Sequence, residues 1–77
     1  MYDENYKDLA NAIILQAVED FRPAYRRLRR FPNDRTAQST VREITKFFCS
    51  DYFALLTDLD GPALLDRLIK KIEEKAR

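Results

Sequence analysis

The chain has 77 residues, a net charge of +1, one cysteine, one glycine and no histidine. A chain this short sustains one small core, since it buries only about 60% of its unfolded surface. One cysteine excludes an internal disulfide, and the absence of histidine excludes the usual zinc sites and Ser-His or Cys-His nucleophile pairs.

A single glycine is too few for a turn-rich β protein, and Ala, Leu, Ile, Lys, Arg and Glu dominate. The expectation is one all-α domain over residues 1–77, a compact bundle of three to four helices with a long first helix. The N-terminus is acidic where a secretory signal would be basic, and the apolar run Ala12 to Leu15 is too short for a membrane span. A soluble, cytoplasmic protein without membrane, metal or cofactor is expected.

In chain order, Tyr2 to Asp8 is a polar lead-in, with Asp3 or Asn5 as candidate caps of the first helix. Ala10, Ile14, Ala17, Phe21, Ala24, Leu28 and Phe31 then recur at gaps of three and four, the spacing of one helical stripe. Tyr6 extends that stripe. Pro23 sits inside the stripe without shifting its register, but removes the donor that would reach the Glu19 carbonyl, at a cost of about 3 kcal/mol. Either the helix is kinked there or it breaks near Asp20 to Arg22; the unbroken stripe register favours the kink.

Phe31-Pro32-Asn33-Asp34 is the clearest boundary, with Asn33 or Asp34 capping a second helix from about Asp34 to Cys49. Ala37, Val41, Ile44 and Phe48 form its apolar face. Ser50-Asp51 caps a short helix through Leu56. Asp60 caps the last helix, in which Pro62 suits the first turn and Leu65, Leu68, Ile69 and Ile72 face inward. Asp58-Leu59-Asp60-Gly61 is only superficially a calcium loop. With Gly61 at loop position 6, Leu56 and Arg67 occupy the ligand positions 1 and 12, so the capping reading prevails.

The small net charge hides a banded distribution. Residues 1–20 carry five acids against one lysine, and residues 21–35 carry six arginines against one aspartate. Arg22, Arg26, Arg27, Arg29 and Arg30 have no acid among them, and Arg35 follows shortly after. Arg22–Arg26 and Arg26–Arg30 are like-charge pairs four residues apart, which weaken a helix. A planar guanidinium suits carboxylate or phosphate recognition, so one reading is an anion-facing surface. The other is a solvated face, partly neutralised by Asp51, Asp58 or Asp66.

Phe47-Phe48 and Tyr52-Phe53 are adjacent aromatic pairs, and helical neighbours about 100° apart rarely both point to the core centre. One reading is a broad core face with a rim residue; the other is that Phe47 or Tyr52 is partly exposed and anchors a partner or a dimer mate. The paired carboxylates Glu19-Asp20 and Glu73-Glu74 have no motif to organise them, so no catalytic residue is assigned and an enzyme is not expected. Cys49, after two phenylalanines, is expected to be buried.

The helical run Ala12 to Arg22, taken with Phe47-Phe48, Ser50, Phe53, Leu56-Thr57-Asp58-Leu59-Asp60-Gly61 and Leu64-Leu65, resembles a group of small proteins encoded in prophages and integrative mobile elements of Gram-positive bacteria. The resemblance covers most of the chain, rests on structural motifs and carries over no catalytic residue. It implies a viral or mobile-element protein that binds a larger machine, such as an inhibitor of a host defence nuclease. Two functional readings follow. One is a non-catalytic protein-binding module using the arginine face and aromatic rim, with homodimerisation an option. The alternative is a nucleic-acid-binding accessory protein that lays its arginines along phosphates.

Overall fold

The computed structural model describes the backbone of residues 2–75 and the side chains of residues 8–75. Four helices account for most of it: α1 (Tyr2–Arg30), α2 (Arg35–Phe48), α3 (Asp51–Leu56) and α4 (Gly61–Lys75). At about 1.5 Å per residue, the 29 residues of α1 span roughly 43 Å, which accounts for the 45 Å long axis of the molecule. The expected continuation of the stripe to Tyr6 and the candidate caps Asp3 and Asn5 concern side chains outside the described residues.

Pro23 lies inside an uninterrupted α1. The alternative of a break near Asp20 to Arg22 is thereby excluded. Both Glu19 and Pro23 are exposed, so the carbonyl that Pro23 leaves without a donor lies on the solvated side of the helix.

Each later helix begins at a side-chain cap. Asp34 Oδ1 accepts from the Ala37 N–H at 3.0 Å, Ser50 Oγ from the Phe53 N–H at 3.2 Å, and Asp60 Oδ1 from the Ala63 N–H at 3.2 Å. Ser50 also donates to the Phe47 carbonyl at 2.6 Å, tying the end of α2 to the start of α3. These caps stop the chain where the apolar stripes must change direction.

α2 folds back along α1. Thr36, Ala37 and Thr40 line one groove with Pro23, Ala24 and Arg27, whereas Ile44 and Phe47 line another with Ile13 and Ala17. The two helices are therefore antiparallel. α4 starts against the end of α2, and Glu73 near its other end reaches Tyr25 and Arg29, so it runs in the direction of α1.

Ile14, Phe21, Phe48, Phe53, Leu65, Leu68 and Ile72 form the buried cluster, and Phe47 packs against it. Phe48 and Phe53 have ring centroids 5.1 Å apart, and Phe47 approaches Phe53 edge-on at 5.5 Å. Burial of each phenylalanine contributes about 1.5–3 kcal/mol.

Two expectations about the core fail. Phe31 is 50% exposed, because α1 ends at Arg30 and Pro32 biases the residue before it away from helical geometry. Cys49 is exposed rather than buried. It caps the C-terminus of α2, its N–H shared by the Thr45 and Lys46 carbonyls, while Phe48 takes the inward position.

The single glycine marks the tightest contact. Gly61 has no unusual φ, but a Cβ there would collide with the Phe48 carbonyl oxygen and lie 3.1 Å from the Phe53 ring. At an unobstructed helix start, Gly→Ala would stabilise by up to about 1 kcal/mol. Here Gly61→Ala is expected to lower unfolding stability by about 3 kcal/mol, measured as a shift in the urea midpoint.

Candidate functional site

The arginines of α1 divide by angular position on the helix. Leu28 and Tyr25 turn inward, Arg27 falls on the side of α2, and Arg29 falls on the side of α4. Arg27 forms a charged hydrogen bond through its Nε to Asp34, and Arg29 lies 3.7 Å from Glu73. Glu73 also accepts from the Tyr25 hydroxyl at 2.9 Å. The neutralising acids are therefore Asp34 and Glu73. Asp66 pairs with Lys70 at 3.2 Å, and neither Asp51 nor Asp58 pairs with an arginine among the described residues, so the expected neutralising set is corrected.

Arg22, Arg26 and Arg30 stand four residues apart along the outward side of α1, rising about 6 Å at each step. None forms an ion pair among the described residues. Arg26 and Arg30 are exposed and Arg22 is half-buried. Phe31 closes the row: the guanidinium carbons of Arg27 and Arg30 lie over its ring, 5.2 and 5.9 Å from the centroid. The result is an exposed aromatic ring carrying two cations, with two further arginines behind it.

Arg35 opens α2 and makes no ion pair with the described residues, so nothing ties it to the row. A cation at that end of a helix opposes the backbone dipole. Phe47 is half-buried against the core, and Tyr52 is 52% exposed beside it, ring centroids 6.0 Å apart. The arginine face and the aromatic rim are separate surfaces: Tyr52 borders Ile13 and Gln16, in the first half of α1.

Among the described residues, no group of three or more acidic or cysteine side chains could hold a metal ion, and no helix is long and apolar enough to cross a membrane. A groove of about 440 Å³ between α1 and α2 is lined by Asp20, the Arg27–Asp34 pair, Thr36 and Thr40, so two of its three charges already satisfy each other. Compared with protein-family models, curated proteins and solved structures, the chain matches none of them.

Phe31, Tyr25 and Glu73 were not legible as members of this surface. Pro32 was the available signal for Phe31, since a helix that must stop there releases residue 31 from the stripe. Nothing local marks Glu73, which meets Tyr25 across 48 positions of chain.

Two groups at the edges of the surface titrate abnormally. The Ala37 N–H and then the Arg27 guanidinium hold the Asp34 carboxyl below its usual value of 3.8. A depressed carboxyl contributes stability above the unfolded value, and that contribution disappears as pH falls through the folded one. Burial, followed by the bond to Glu73, raises the Tyr25 hydroxyl above 10.0. Its stability contribution is complete below that value and is lost as pH rises through the folded one. Thermal unfolding followed against pH is expected to show both branches. Asp34→Asn should flatten the acid branch, and Tyr25→Phe the alkaline branch.

Proposed function

We propose that this chain is a non-catalytic interaction module that docks on an acidic protein surface through Arg22, Arg26 and Arg30, with Phe31 as its aromatic anchor. The observation that carries the reading is selective neutralisation. Arg27 and Arg29 of the same helix have acidic partners, and the outward row has none among the described residues. The helix dipole favours Arg27, Arg29 and Arg30 in the last turn by about 0.3–1 kcal/mol each. Arg22 and Arg26 lie before that turn and bear the like-charge repulsion without this return. Arginine beside an exposed aromatic is also the composition of interface hot spots.

In this reading the partner is a larger protein, and the resemblance to mobile-element proteins makes a host defence nuclease a fitting one, with inhibition the consequence of docking. Nucleic acid is the second reading, favoured by the regular rise of the arginine row. Against it stands the net charge of +1, small for a chain that tracks phosphates.

The test is the double variant Arg26→Glu/Arg30→Glu, with helicity checked by circular dichroism. A partner captured by the wild-type chain is expected to bind the variant at least about tenfold more weakly, about 1.4 kcal/mol. Undiminished capture would remove the arginine row from the function. Tight duplex binding at about 50 mM salt, falling log-linearly by roughly 0.9 per neutralised phosphate, would instead select the nucleic-acid reading.

A further inference from the structure

A second surface lies where α1, α2 and α3 meet, and it does not involve the arginine row. Half-buried Ile13 and Ile44, the rings of Phe47 and Tyr52, and exposed Asp20 and Glu43 line a groove of about 360 Å³. Its volume falls at the small end of ligand-sized clefts. The two rings are tilted at 56° with centroids 6.0 Å apart.

The charges of this groove are one-sided. No cationic side chain lines it. Asp20 accepts from Gln16 Nε2 at 3.0 Å and Glu43 from Ser39 Oγ at 3.4 Å, both neutral donors. Neither carboxylate has an ion-pair partner among the described residues. Asp20 also lines the neighbouring groove, whose one cation, Arg27, is engaged by Asp34.

We infer that this groove binds a basic side chain, the arginine or lysine of a partner protein's peptide segment. The apolar stem of such a residue lies along Ile13 and Ile44, as long cationic side chains do on apolar surfaces. The charged end is drawn to the carboxylates of Asp20 and Glu43, while the rings of Phe47 and Tyr52 flank the stem beside Ile13. A wholly apolar occupant would strip water from two carboxylates and return nothing, and an acidic one would be repelled. A second copy, whose Arg30 lies against the exposed Phe31 ring, is the competing occupant, and dependence of the binding signal on protein concentration separates it from a partner's peptide.

The experiment titrates the ¹⁵N-labelled full chain with acetyl-Leu-Arg-Leu-amide and, in parallel, with acetyl-Leu-Glu-Leu-amide. The arginine peptide is expected to shift the amides around Ile13, Asp20, Glu43 and Tyr52 at millimolar concentration, the glutamate peptide to leave them in place. Asp20→Asn/Glu43→Gln, two near-isosteric exposed changes, should weaken binding at least about fivefold. Tyr52→Ala should weaken it similarly, and Tyr52→Phe should restore it. Arg26→Glu/Arg30→Glu should leave this titration unchanged, so failure here and failure of the arginine-row reading are separable. No shift at about 10 mM peptide, or equal shifts by both peptides, would overturn the assignment. So would groove shifts that depend on protein concentration without peptide, which would make a second copy the occupant.

Discussion

Gly61 lies so close to the Phe48 carbonyl that no side chain fits between them, and this contact decides where the last helix runs. With its first turn held against the end of α2 and its Asp60 cap closed on Ala63, α4 extends along α1 until Glu73 meets Tyr25 and Arg29. A shift of α4 away from Phe48 would separate those groups and uncover Leu65, Leu68 and Ile72 together. Interiors packed at crystal-like density do not absorb such shifts gradually. The electrostatic pattern on one side of α1 thus depends on a steric fact at the far end of another helix.

That placement sorts five arginines that look equivalent in the chain. Consecutive helical residues are separated by about 100°, so the run from Arg22 to Arg30 wraps around α1. α2 and its preceding loop bring Asp34 to one flank, and α4 brings Glu73 to the other. Exposed pairs of this kind contribute at most about 1 kcal/mol each, so their interest is less in stability than in which cations they occupy. What remains outward is a row of arginines on one helix, with an aromatic ring at its end.

The acidic groove has the complementary origin. Asp20 belongs to the acid-rich first half of α1, and Glu43 comes from the middle of α2. Antiparallel packing brings them to the same groove, beside rings supplied by the junction of α2 and α3. In one dimension these residues are scattered among polar neighbours and core positions. They line one groove, where Ser50 caps the turn that sets Tyr52 beside Phe47.

Local physics was enough for much of this molecule. The helix stripes, a cap at Asn33 or Asp34, the caps Ser50 and Asp60 and the inward faces of α2 and α4 follow from periodicity and from side chains that bond their own nearby backbone, and all can be read from neighbours a few residues apart. The banding of charge was equally plain. Three things needed the tertiary structure: the exposure of Phe31 and Cys49, the identity of the acids that neutralise Arg27 and Arg29, and the closing of an aromatic groove around Asp20 and Glu43. Burial at a helix end depends on where the neighbouring helix stops, and a long-range ion pair depends on how two helices are set side by side. A stripe of apolar residues states which face is covered, but packing alone determines what covers it and which charges are left facing outward.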